Sequence, residues 1–104
     1  MSLSNNSNIA MYNELPLVNN ETDHSFEMIV DGQRAFIDYR RTGDTFLLIH
    51  TEVPEVLRNR GIAKILVEKT FKYLEENHLK MRPFCTYIQS YLKNNPDWKR
   101  LIDK

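Results

Sequence analysis

The feature that most constrains this chain is a change of hydrophobic period at Pro54. Before it, apolar residues alternate as in strands; after it, they recur at three- and four-residue steps as in a helix. Phe26 to Val30 alternates, and Asp31-Gly32 is the dipeptide that supplies positive φ angles to a tight hairpin turn. Arg34 to Arg40 puts Ala35, Ile37 and Tyr39 on one face and Arg34, Phe36, Asp38 and Arg40 on the other, which reads as a solvated face. A second turn is expected at Thr42-Gly43-Asp44. Thr45 to Val53 is nearly continuous in apolar and β-branched residues, the pattern of a central strand covered on both faces.

Beyond Pro54-Glu55, and as far as about His78, the residues Ile62, Ile65, Leu66, Thr70, Tyr73 and Leu74 predict one long helix with a broad buried stripe. Leu79 to Cys85 then predicts a short strand. Thr86 to about Lys93 predicts a helix in which Tyr87/Tyr91 and Ile88/Leu92 sit one turn apart, closed by Asn94-Asn95-Pro96-Asp97. The fold class is therefore α/β: an antiparallel three-strand meander, a long helix, a strand parallel to the third, and a C-terminal helix. Trp98 is expected to staple the tail to the core.

Length and composition narrow the function classes. A chain of 104 residues suits one domain with one site. Nine of the first twenty residues are Asn or Ser and only Glu14 is charged, so residues 1–22 are expected to form a flexible leader and residues 23–104 the domain. The leader has neither the basic start nor the apolar middle of an export signal, and no run approaches the ~20 apolar residues that span a bilayer. Fourteen basic residues balance fourteen acidic ones, which removes the overall attraction that nucleic-acid binding relies on. The single cysteine, Cys85, cannot close an intrachain disulfide, which points to a reducing, cytoplasmic setting. His24, His50 and His78 have no ligand spacing with one another or with Cys85, so no metal is expected. A monomer or weak dimer is anticipated, without nucleic-acid or membrane partners.

The topology predicts where chemistry gathers. A strand, a crossover helix and a second strand lie parallel, and ligands bind beyond the carboxyl ends of such strands. Those ends carry His50, Thr51 and Glu52 on one strand and Cys85 on the other. The same edge holds the start of the long helix, Arg58-Asn59-Arg60-Gly61-Ile62-Ala63-Lys64, where unpaired amides and the helix dipole favour an anion. Gly61 and Ala63 let a phosphate approach the backbone, and Arg58, Arg60 and Lys64 offer neutralising charge.

These residues resemble a known signature. Arg58-x-x-Gly61-x-Ala63 after an apolar strand is similar to the acetyl-coenzyme A motif Q/R-x-x-G-x-G/A of the GNAT superfamily of N-acetyltransferases. His50-Thr51-Glu52-Val53-Pro54, Pro83-Phe84-Cys85 and Tyr91 to Trp98 extend the likeness, in order and spacing, to small single-domain GNAT-like proteins over about Phe26 to Leu101. The resemblance implies a sheet splayed between the third and last strands. Acetyl-coenzyme A would lie in the gap, its pantetheine arm on strand backbone as far as Val53 and its pyrophosphate on Arg58, Asn59, Arg60, Gly61, Ile62 and Ala63. The helices that full-length members place between their first strands do not fit in this length, so the acceptor, a small-molecule amine or a protein amine, stays undefined.

Four side chains are candidates for the chemistry. Cys85, ending a strand beside the gap, is a candidate acyl carrier, with a small buried hydrophobe as its plain alternative. His50 and Glu52, two apart on one strand face, are candidates to relay the amine proton. Tyr91 matches the place where many GNAT enzymes carry the tyrosine that protonates the leaving thiolate. The rival reading is a non-catalytic module that binds coenzyme A or a protein without turnover.

Overall fold

The computed structural model describes residues 11–104. Five strands form one sheet in sequential order: β1 (Val18–Asn20), β2 (Ser25–Val30), β3 (Gln33–Thr42), β4 (Thr45–Glu52) and β5 (Lys80–Pro83). The first four are antiparallel neighbours, and β5 lies parallel to β4 from Thr45↔Lys80 to Leu48↔Pro83. Between β4 and β5 runs the crossover helix α1 (Ile62–Glu76), and α2 (Thr86–Asn94) follows β5. The expected class, meander and parallel strand are all present. Among the described residues no helix is long and apolar enough to cross a membrane.

Each hairpin forms for the reason its sequence suggests. Asp31 and Gly32 take φ angles of 50° and 77°, the double positive-φ turn whose twist matches the strands it joins. Gly43 supplies a single positive φ, 59°, to the turn between β3 and β4. One face of the sheet then carries Phe26, Met28, Val30, Ala35, Ile37, Tyr39, Phe46 and Leu48, all buried against Ile65, Leu66, Phe71 and Leu74 of α1. Four aromatic rings lock the sheet to the helix: Phe26 lies 5.4 Å from Phe46 and 5.3 Å from Tyr73, and Tyr39 lies 4.8 Å from Phe46. Ile88, Tyr91 and Leu92 bring α2 onto the same core. Trp98 packs 5.5 Å from Phe71, which fastens the tail as expected.

Three expectations need correction. First, Val18–Asn20 belongs to the sheet as edge strand β1, paired with Ser25–Glu27, rather than to a flexible leader. Tyr39 donates its hydroxyl to Asn19 Oδ1 at 2.6 Å, and Leu15 and Leu17 pack against the core, so tertiary contacts order residues whose own composition would not. The rest of the expected leader, residues 1–10, lies outside the described residues. Second, α1 begins at Ile62, not at Pro54-Glu55. Glu55–Leu57 forms only a 3-10 turn, and Asn59 at φ 66° and Gly61 at φ 75° place left-handed residues that no α-helix accommodates. Third, β4 is central in strand order but covered on one face only: Phe46 and Leu48 are buried, whereas Leu47 is half-buried and Ile49 exposed.

Two stability tests follow. Phe46→Ala empties a site touched by two aromatic rings and is expected to cost about 3 to 5 kcal/mol by urea unfolding. Gly61→Ala forces a Cβ into the left-handed region with no steric neighbour to blame, and is expected to cost about 1 to 2 kcal/mol. A Gly61→Ala protein as stable as the wild type would mean that the turn relaxes.

Candidate functional site

The sheet opens where β5 stops. Pro83 ends the parallel ladder opposite Leu48, and the next two residues, Phe84 and Cys85, both donate their backbone N–H to the Leu48 carbonyl, at 2.9 and 3.0 Å. The chain then turns into α2, with Cys85 as its N-cap. β4 continues alone on that side through Ile49 to Glu52, which leaves strand backbone without a β5 partner. Across from it, Gly61 caps α1 with no side chain at its N-terminus, so the first-turn amides of the helix have no capping acceptor.

A cleft of about 450 Å³ fills this opening. Its sheet wall is His50, Thr51, Glu52 and Val53; its helix wall is Leu57, Arg58, Asn59 and Gly61 through Lys64; Tyr87 of α2 closes a third side. A Cβ built on Gly61 meets nothing within 4 Å, so the turn presents bare backbone to open space. A smaller hollow of about 290 Å³ adjoins the cleft, sharing Lys64 and Tyr87 with it and reaching Tyr91.

A β-bulge sets the direction of the sheet-wall side chains. The β3–β4 register shifts between Asp38 and Tyr39: Tyr39 faces Leu48 and Asp38 faces His50, which leaves Ile49 without a partner. One extra residue reverses the alternation. Thr51 therefore lies opposite Ile37, on the core face, while His50 and Glu52 lie opposite Asp38 and Phe36 on the open face. His50 Nε2 and Glu52 Oε1 are 2.9 Å apart, so the two side chains are hydrogen-bonded to each other on one face.

The other candidate residues divide. Val53, Arg58, Asn59, Gly61, Ile62 and Ala63 line the cleft. Arg60 does not: its guanidinium donates to Asp31 Oδ2 at 3.0 Å and to the Tyr12 hydroxyl at 3.4 Å, on the side of the β2–β3 turn. Cys85 is 7% exposed and absent from the cleft wall, but its Sγ lies 3.3 Å from Thr51 Oγ1, which is in that wall. The thiol thus stands one side chain behind the surface, at the apex where the strands part.

Tyr91 is also 7% exposed, and its hydroxyl is buried beside the Glu68 carboxylate and the Trp98 indole. Burial, reinforced by the Glu68 carboxylate, pushes that hydroxyl up to about 12. Burial also raises the hydroxyl of Tyr87, with Glu68 and Cys85 adding to it. Tyr87 and Leu57 were not singled out from the sequence as site residues. The Tyr87/Tyr91 pair reads as packing at one-turn spacing, and only the approach of α2 to α1 shows that Tyr87 faces the opening. Among the described residues no group of His, Cys, Asp and Glu could hold a metal ion.

The family model described as GCN5-related N-acetyl-transferase matches residues 25–101. Protein NATD1 of Xenopus tropicalis is 45% identical over 64 residues, which cover 61% of this chain and 59% of that protein. Protein NATD1 of Homo sapiens is 44% identical over 64 residues, 57% of its length. The chain thus spans under two thirds of the relatives it matches. With the matched region running from β2 through the last helical turn and the splayed sheet at its centre, the chain belongs to the GCN5-related N-acetyltransferase family.

Proposed function

We propose that this chain binds acetyl-coenzyme A in the cleft between β4 and α1 and transfers the acetyl group to an amine. The observation that carries this reading is the convergence, at one end of the cleft, of the uncapped first turn of α1, the bare left-handed Gly61, and the cations Arg58 and Lys64. Backbone amides on a helix N-terminus with flanking guanidinium and ammonium groups suit a diphosphate. Strand backbone from His50 to Val53, unpaired on the β5 side, suits the amide groups of a pantetheine arm.

Bound acetyl-coenzyme A supplies a thioester: the amine nitrogen forms a C–N bond to the acyl carbon, the C–S bond breaks, and the electron pair leaves on sulfur. His50 takes the proton that the amine releases. With its Nε2–H donated to Glu52 Oε1, its Nδ1 lone pair is free to accept, and the carboxylate steadies the imidazolium. Tyr91 keeps its proton through neutral pH and holds it for the departing sulfur. The place of Cys85 at the apex of the gap favours a second route, in which its sulfur accepts the acetyl group first, giving its proton to the departing thiolate, and the amine then attacks the new thioester.

Four outcomes are expected. Calorimetry with coenzyme A separates Gly61→Ala from Gly61→Glu: both carry the φ strain, but only Glu brings an anion against the phosphates, so it alone should lose roughly tenfold or more in affinity. Equal affinities would place the diphosphate elsewhere. Incubation with acetyl-coenzyme A is expected to leave an acetyl adduct on Cys85, detectable by mass, and Cys85→Ala should slow transfer; equal rates leave direct attack as the route. Binding without turnover, across amines and peptides, would instead identify a non-catalytic module. Finally, since the Tyr91 hydroxyl ionises only near 12 when folded and near 10 when unfolded, its share of stability is intact below about pH 10 and lost as pH rises towards 12. Urea unfolding across that range should show a shallower decline in Tyr91→Phe than in wild type.

A further inference from the structure

The bulge that turns His50 toward the cleft also opens a second concavity on the uncovered face of the sheet. This hollow, about 250 Å³, is walled by Asp23, His24, Asp38, Arg40 and Ile49 together with Tyr39. The two concavities share a border one residue wide: Ile49 walls the hollow, the next residue His50 walls the cleft, and Asp38 lies directly opposite His50 in the register. A ligand whose amine sits at His50 therefore has this hollow beside it.

The chemistry of the hollow is mixed in a telling way. Asp38 makes no ion pair or side-chain hydrogen bond among the described residues, and Asp23 Oδ2 accepts only from Asn20 Nδ2, at 3.2 Å. The hollow thus holds two carboxylates, Asp23 and Asp38, beside the Arg40 guanidinium and the His24 imidazole, with Ile49 as an apolar wall. Outside the hollow, Phe84 is 56% exposed and its backbone N–H bonds the Leu48 carbonyl, one residue before Ile49, itself 40% exposed. The volume is below the ~300 Å³ at which free-standing small-molecule sites begin, yet ample for one side chain. A small amine reacting at His50 would leave both the carboxylates and the apolar pair untouched. An extended polypeptide advances about 3.3 Å per residue, so the neighbours of a reacting amine reach both.

We infer that the acceptor is a polypeptide amine, seated across the open face of the sheet with a basic side chain at Asp23 and Asp38 and an apolar one against Ile49 and Phe84. The inference rests on the reading of the cleft as the donor site and adds the acceptor class to it. It is tested by following backbone amide resonances of the full chain in two separate titrations. One uses a short capped peptide carrying Leu-Lys-Arg, with lysine amide and a Leu-Lys-Glu peptide as comparisons; the other uses coenzyme A. The Leu-Lys-Arg peptide is expected to move Asp38, Ile49 and Phe84, and to bind roughly tenfold or more tightly than lysine amide and the charge-reversed peptide. Phe84→Ser and Asp38→Asn should each weaken the peptide while leaving the coenzyme A shifts at Gly61 in place. Peptide resonance changes that ignore this face, or affinities indifferent to both substitutions, overturn the inference. Coenzyme A shifts without peptide shifts overturn it alone; peptide shifts without coenzyme A shifts support the docking face and remove the donor reading instead.

Discussion

The parallel pairing of β4 with β5 lasts only from Thr45 to Leu48, and the cleft between β4 and α1 descends from that early end. Proline at position 83 has no N–H to continue a ladder, and the next two N–H groups both turn onto the Leu48 carbonyl. A strand that stops while its neighbour runs on leaves polar backbone that demands partners, because buried or half-buried amides are costly when unmade. The crossover helix supplies the other wall and adds four unsatisfied N–H groups of its own. The cleft is thus defined by hydrogen-bonding capacity rather than by shape alone.

The bulge at Ile49 gives this opening its chemistry. Without the extra residue, His50 and Glu52 would continue the face of Phe46 and Leu48 and drive a polar pair into the aromatic core. With it, Thr51 turns inward to meet Cys85 and the His50–Glu52 pair turns outward. One backbone irregularity, held between the pairs Tyr39↔Leu48 and Asp38↔His50, separates side chains that pack in the core from side chains that face the cleft along a single strand. The aromatic cluster of Phe26, Tyr39, Phe46 and Tyr73 makes that register rigid from below.

Much of this was legible in the sequence where local signals carry it. Asp31-Gly32 and Gly43 marked both hairpins, the three- and four-residue spacing marked α1 from Ile62 onward, and Gly61 marked the left-handed turn that opens that helix. The illegible parts all depend on contacts between distant residues. β1 exists because β2 and Tyr39 bind it, not because Val18-Asn19-Asn20 favours a strand. Arg60 reads as a phosphate ligand until Asp31, 29 positions earlier, claims its guanidinium. The bulge leaves no trace in a run as uniformly apolar as Phe46-Leu47-Leu48-Ile49, where either register is locally acceptable. Tyr87 joins the site only because α2 docks beside α1.

The central claim is that His50 to Val53 and Gly61 to Ala63 form two walls of one donor site. Amide hydrogen exchange, measured residue by residue with and without coenzyme A, tests this most directly, since it reports on both backbones at once and requires no acceptor. The account predicts that coenzyme A slows exchange in both segments together while the outer strands β1 and β2 are unchanged. Slowing confined to another surface, or in neither segment at saturating coenzyme A, would contradict it.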